Sequence, residues 1–326
     1  MKILIGFFLF TISFTPSIIF AKENRFNPKI LKTCRAHIKE ALCLVDPVDY
    51  NNPFATPYNR PCLDGGAKYA AVFQKHFDQA NPMIQRMYCS LEKIWIENTL
   101  TTTAYATPIY DMSDTLVSAG IGIKKDFIEQ SLKMDQWLSL KEESSFGGKP
   151  GLIKYTTVQT DKKLTAITYA INHEFGHIFD YANKLNRYEN HKPLPGSWAE
   201  ISWQDDETPL AENNMSLRSG LCFYICRDEY MNANQSAQLF NELTQTSFQS
   251  TYATVNPKED WAEAFALTLA TKEVGFQWQA ETQGKKFNLT EHFYSEKLKK
   301  KRDFVAAFLK SDYIYPGEVA DLEKAD

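Results

Sequence analysis

Apolar side chains recur at helical spacing through the middle of the chain. Leu164, Ile167, Ile171, Phe175, Ile178 and Phe179 fall on one side of a helical repeat, and no proline interrupts residues 160–183. Thr160 or Asp161 stands where an N-cap is expected, so the pattern predicts a buried helix over 160–183. A second helix is expected from Asn256, as cap, with Pro257 at its first position, through Ala270. Helix-like periodicity also dominates 28–43 and 66–100, with an Asn- and Pro-rich loop at 46–64 between them. Residues 119–127 alternate small and apolar and predict a strand, either an ordinary one or an edge strand that pairs with an extended peptide. Gly120 and Gly122 in it would let another backbone approach closely. Residues 142–151 read as a loop, and 191–226 as an insertion able to wall a cleft. The basic run 297–302 reads as the solvated face of a C-terminal helix.

Inside the first helix lies His173-Glu174-Phe175-Gly176-His177. Residues four apart stand one above the other on a helix, so both imidazoles aim at one point, and Glu174 reaches the same side. Two histidines and a glutamate set among isoleucines and phenylalanines need partners, which favours a divalent cation over an ordinary amphipathic face. Catalytic zinc takes three protein ligands and keeps one position open, so one Zn2+ per chain is expected at His173 and His177. The residues leave the third ligand open. Glu259 and Glu263 share a face of the second helix, and either can close the site while the other braces it. Glu259 can instead complete a capping box with Asn256 and touch no metal. Asp180, three residues after His177, is better placed as a supporting group.

The first 21 residues join a basic start to a short apolar core and end in Ala21, the pattern of a secretory signal peptide cleaved there. Polar Thr11, Ser13, Thr15, Pro16 and Ser17 interrupt the apolar run, which argues against a stable membrane anchor. All six cysteines follow this segment, and an even number in an exported chain favours disulfides. Neighbour pairing, Cys34–Cys43, Cys62–Cys89 and Cys222–Cys226, is the expectation. A formal charge of −4 argues against nucleic acid as partner. His37, His76 and His191 are read as structural rather than as ligands.

Together, His173-Glu-Phe-Gly-His177 with Asp180, and downstream Glu259-Asp-Trp-Ala-Glu263-Ala-Phe265, resemble the gluzincin metallopeptidases. Among these they are most similar to the anthrax lethal factor-like catalytic domains. The resemblance covers two short blocks. It implies His173, His177 and Glu259 as zinc ligands, with Glu263 as second choice for the third, and Glu174 as general base. It also implies Tyr252, seven residues before Glu259, as the group that stabilises the oxyanion. The stretch between His177 and Glu259 is longer than that family leads one to expect, and the cysteine-bearing insertion accounts for the excess. The cell-entry modules have no counterpart here, so that family member's substrate does not carry over.

The expected fold is α+β and zincin-like: helix-rich, with a small mixed sheet and two metal-binding helices facing across a cleft. The expected organisation is a signal peptide (1–21), a disulfide-stapled helical subdomain (22–105), a catalytic domain (106–315) and a tail (316–326). The expected function is a secreted or periplasmic zinc endopeptidase acting on a protein or peptide substrate. The alternative is a catalytically inactive zinc-binding protein that holds a peptide or cell-wall partner. Retention of Glu174 favours the enzyme, because a passive site needs ligands but no base.

Overall fold

The computed structural model describes residues 26–46, 60–161, 163–223 and 230–318. The expected signal peptide lies outside them, as does most of the expected tail. Two sheets of three or more strands and a helical body share one main hydrophobic core.

The first sheet is mixed, in the order β1 (Leu42–Val45), β2 (Leu91–Glu97), β4 (Leu116–Lys124), β3 (Ala104–Tyr110). β1, β2 and β4 run parallel, and β3 is antiparallel to β4 at one edge. Helices α1 (Pro28–Ala41), α2 (Ala70–Gln79) and α3 (Pro82–Met87) precede and connect the first two strands. The front of the chain is therefore not wholly helical. β2 was hidden because Ile94, Trp95, Ile96 and Glu97 are all buried. A strand covered on both faces shows no alternation, and its apolar run continues the helical pattern before it. The boundary expected at 105 falls within β3.

β4 is not an edge strand, since β2 and β3 flank it. Its glycines admit side chains rather than a backbone. A Cβ on Gly120 would meet the Trp95 ring at 2.2 Å, and one on Gly122 the Tyr105 ring at 2.1 Å. Those two rings stack with centroids 6.2 Å apart.

The cysteine pairs are Cys34–Cys89 and Cys43–Cys62, not the neighbours expected. Cys34 sits in the main core, whereas Cys43 points to the opposite face of the sheet, with Val45 and Trp95. Facing apart, they cannot join. Cys222 is also disulfide-bonded; Cys226, its expected partner, lies outside the described residues.

Two helices dominate the back of the chain. α6 (Ala166–Asn183) follows α4 (Lys125–Gln130), α5 (Met134–Ser144) and β5 (Lys154–Val158). Its cap is Thr165, so it begins later than the periodicity suggests. Both the amide and the carbonyl of Leu164 bond the side chain of Gln159, which closes a loop that keeps 159–164 out of the helix. α5 occupies part of the segment read as loop. α8 (Pro257–Val274) comes after α7 (Ser236–Leu243) and starts as expected, with Asn256 Oδ1 accepting from the Lys258 and Glu259 amides. It ends at Gly275, whose φ of 59° is a left-handed cap. Past α6, β6 (Tyr188–Glu189) and β7 (Lys192–Pro193) form a two-stranded ribbon. A further sheet, β5–β8–β9, adds β8 (Gln277–Thr282) and β9 (Lys285–Asn288).

α9 (Leu289–Tyr294) and α10 (Lys299–Phe308) close the fold, and α10 corrects one more expectation. Lys301, inside the basic run, is buried with its ammonium 2.6 and 2.7 Å from the two oxygens of buried Asp260. Trp203 Nε1 donates to the same carboxylate at 3.0 Å. An ion of this kind survives burial only when paired and hydrogen-bonded. Asp260 follows Glu259, so the C-terminal helix clamps the first turn of α8.

Candidate metal centre

α6 and α8 meet where their backbones come close. Trp261 Nε1 donates to the Gly176 carbonyl at 2.7 Å, and a Cβ on Gly176 would lie 3.0 Å from the Ala262 Cα. At the end of α6, Asp180 accepts from both the amide and the side chain of Asn186, at 2.8 and 2.9 Å. The Asn186 side chain reaches the Pro257 carbonyl at 3.4 Å. Asp180 thus ties the exit of α6 to the entry of α8 and stays out of the cluster of donor atoms.

This packing brings His173, His177 and Glu259 together, with one donor atom from each within 4.8 Å of the others. Glu259 Oε2 lies 2.9 Å from His173 Nε2 and 3.3 Å from His177 Nε2. Its carboxylate faces the imidazoles, so the capping-box role is not the one it takes. Glu263, one turn on, stands behind the ring: its Oε1 is 3.2 Å from His173 Nδ1. Glu263 Oε2 accepts from Ser250 Oγ at 2.7 Å.

The electrostatics favour a cation at the centre. Burial pulls the His173 imidazolium down, but the Glu259 and Glu263 carboxylates outweigh it and raise the ring to about 10. Burial raises Glu259, yet His177 and His173 overcome this and hold it well below the usual carboxylate range. Burial likewise opposes Glu263, and Lys141 and His173 bring it down to about 2. Glu174, beside the cluster, goes the other way. Burial raises its carboxyl, and the two imidazoles only partly offset this. Two imidazole nitrogens and one carboxylate oxygen are the donor set and number that suit catalytic zinc.

The cluster opens into a cleft of about 540 Å³. Residues 102–106, entering β3, form one wall, and Leu221, Cys222 and Phe223 contribute to another. Tyr252 lines the cleft on the short helical turn Tyr252–Thr254, its ring centroid 5.8 Å from that of His173. Tyr181, Trp137 and Lys141 are among the lining residues absent from the sequence reading. Tyr181 stacks on His177 from one turn along α6, at 6.5 Å between centroids. Trp137 and Lys141 come from α5. The signal for them was present: Met134, Trp137 and Leu138 set a helical stripe, and Lys141 takes its next apolar position. His37 and His76 lie elsewhere, bonded to the Leu91 carbonyl and to Tyr88 and Asn172.

Residues 152–314, half of the chain, match the model of a family described as "Putative zinc-binding metallo-peptidase". The chain belongs to this family. The matched stretch contains His173, Glu174, His177, Tyr252, Glu259 and Glu263. No curated protein and no solved structure matches the chain.

Proposed function

We propose that this metallopeptidase-family protein is an exported zinc endopeptidase of the gluzincin type, with a zincin-like fold. His173, His177 and Glu259 hold one zinc per chain, and Glu174 is the general base. The observation that carries the reading is Glu259 Oε2 resting against both imidazole Nε2 atoms, with Glu174 beside them. Zinc held there supplies Lewis acidity, which makes water nucleophilic near neutral pH and polarises the scissile carbonyl.

The chain's own groups do the rest. Glu174 takes the proton of the attacking water and returns it to the leaving amine; its raised carboxyl pKa suits both steps. Tyr252 donates its phenolic hydrogen bond to the oxyanion as it forms. β3 carries the substrate. It is the edge strand on the cleft side of the first sheet, pairing only with β4 among the described residues, so an extended peptide can add to it. In the sequence it is the stretch forming β4 that offers itself as a candidate for that role.

Export is supported by two disulfides in the front of the chain, which persist in oxidising compartments. Among the described residues no helix is long and apolar enough to cross a membrane.

The test is cleavage of a peptide library by the zinc-loaded protein, beside Glu174→Gln. The variant should keep its zinc and lose about 10²–10⁴ in turnover, the worth of a general base. Stoichiometric zinc with no cleavage of any library member would leave the passive zinc-binding reading in its place.

A further inference from the structure

Lys141 is a lysine where the helical stripe of α5 calls for an apolar residue, and its side chain is 5% exposed. Its ammonium reaches two parts of the site at once. Nζ lies 3.6 Å from Glu263 Oε1, the oxygen that stands 3.2 Å from His173 Nδ1. The same Nζ lies 4.1 Å from the centre of the Tyr252 ring and 5.2 Å from that of Trp137.

Glu263 closes the circuit on its other side. Its Oε2 takes the Ser250 hydroxyl, and Ser250 Oγ accepts from the Ala253 amide at 3.0 Å, across the turn that carries Tyr252. The neighbouring residue is fixed as well, since Thr251 Oγ1 donates to buried Glu142 of α5 at 2.5 Å. Desolvating an ammonium is costly, and Lys141 is retained with a carboxylate and two ring faces as its compensation.

We propose that Lys141 is a positioning residue of the metal centre. It holds the Glu263 carboxylate behind His173 and the Tyr252 ring over the cleft, so that the histidine and the phenol keep one fixed relation. It is neither one of the three ligands nor the base. Its effect on the metal passes through Glu263. The inference rests on the zinc-site reading above but not on hydrolysis.

The experiment is Zn2+ affinity by competition with a chromophoric chelator, for the full chain and for Lys141→Met, Glu263→Gln and the double variant. Lys141→Met should weaken zinc binding about tenfold, the lower range for groups that orient a ligand. In the Glu263→Gln background the same change should have almost no effect, because the carboxylate it acts on is gone. Lys141→Arg, which keeps a cation that stacks on the ring, should recover most of the affinity. Equal losses in both backgrounds would overturn the proposal, as would wild-type affinity in Lys141→Met. Should Lys141→Met fail to fold, Lys141→Arg and Lys141→Gln decide by the same comparison. Zinc binding is read apart from cleavage, so a wrong substrate class leaves the result standing.

Discussion

Gly176 and Ala262 are the point at which the two helices of the site touch backbone to backbone. A Cβ on Gly176 would stand 3.0 Å from the Ala262 Cα and 3.3 Å from a ring carbon of Phe265. Gly176 sits between Glu174 and His177 in sequence, and Ala262 one turn past Glu259, so this contact sets the gap that the imidazoles and the carboxylate bridge.

Gly176→Ala should therefore force α6 and α8 apart. Overpacking of this kind costs about 1–3 kcal/mol. The sharper sign is zinc affinity, which should fall because Glu259 no longer reaches both histidines. Unfolding of the zinc-free protein and chelator competition measure the two effects separately. Unchanged affinity in a destabilised variant would mean that the helix gap does not tune the site.

Glu259→Ala and Glu263→Ala should differ in kind. The first removes a ligand and leaves two, which hold zinc poorly, so stoichiometric zinc should be lost on dialysis. The second removes only the brace behind His173, and affinity should fall by about 10–100-fold. Zinc content by elemental analysis gives the order, and the reverse order would make Glu263 the ligand.

Tyr252→Phe should lower kcat by about 10²–10³, the usual loss for one oxyanion donor, with KM and zinc content nearly constant. The ring stays, so its place under Lys141 stays too. If turnover is unchanged, Tyr181, which lines the cleft and stacks on His177, is the next phenol to test, by Tyr181→Phe.

Glu142 gives the protein a pH dependence of its own. Burial raises its carboxyl to about 7 from an ordinary 4.5, against the opposing pull of Lys141 and Thr251. The folded state thus keeps a proton that the unfolded chain releases near 4.5. Stability on this account is full below that pH and declines as pH rises to about 7, by at most about 3 kcal/mol. Denaturant unfolding of the zinc-loaded protein at several pH values should show a smaller decline for Glu142→Gln than for the native chain. Parallel curves would remove Glu142 as the source.

The residues of the candidate metal site are the most legible in the sequence, because helix geometry converts spacing into direction. His173, Glu174 and His177 share one face by counting alone, and Asn256-Pro257 announces the start of the helix that carries Glu259. What was not legible depends on partners distant in the chain. Both faces of β2 are covered, so it loses its alternation and reads as helix. Cys34 and Cys43 are close in sequence, but Cys34 of α1 faces the main core and Cys43 of β1 faces the other side of the first sheet. Lys301 looks solvated until Asp260 is found beneath it. Lys141 is not legible either, because a lone lysine on an apolar stripe gains meaning only when Glu263 and Tyr252 arrive from elsewhere.

The half of the chain that matches the family, residues 152–314, holds every group assigned to the chemistry. Residues 102–106, Trp137 and Lys141, which also line the cleft, come from the half before it. A polypeptide trimmed to the matched half would keep the three donor residues and Glu174 but lose one cleft wall and the lysine that stands beside Glu263 and Tyr252. Two proteins could share the recognised half, with the same metal and the same base, and still cut different peptides. Selectivity in such a design would be inherited from residues 102–106, which can vary, while Lys141 from the same front half stays tied to Glu263 and Tyr252.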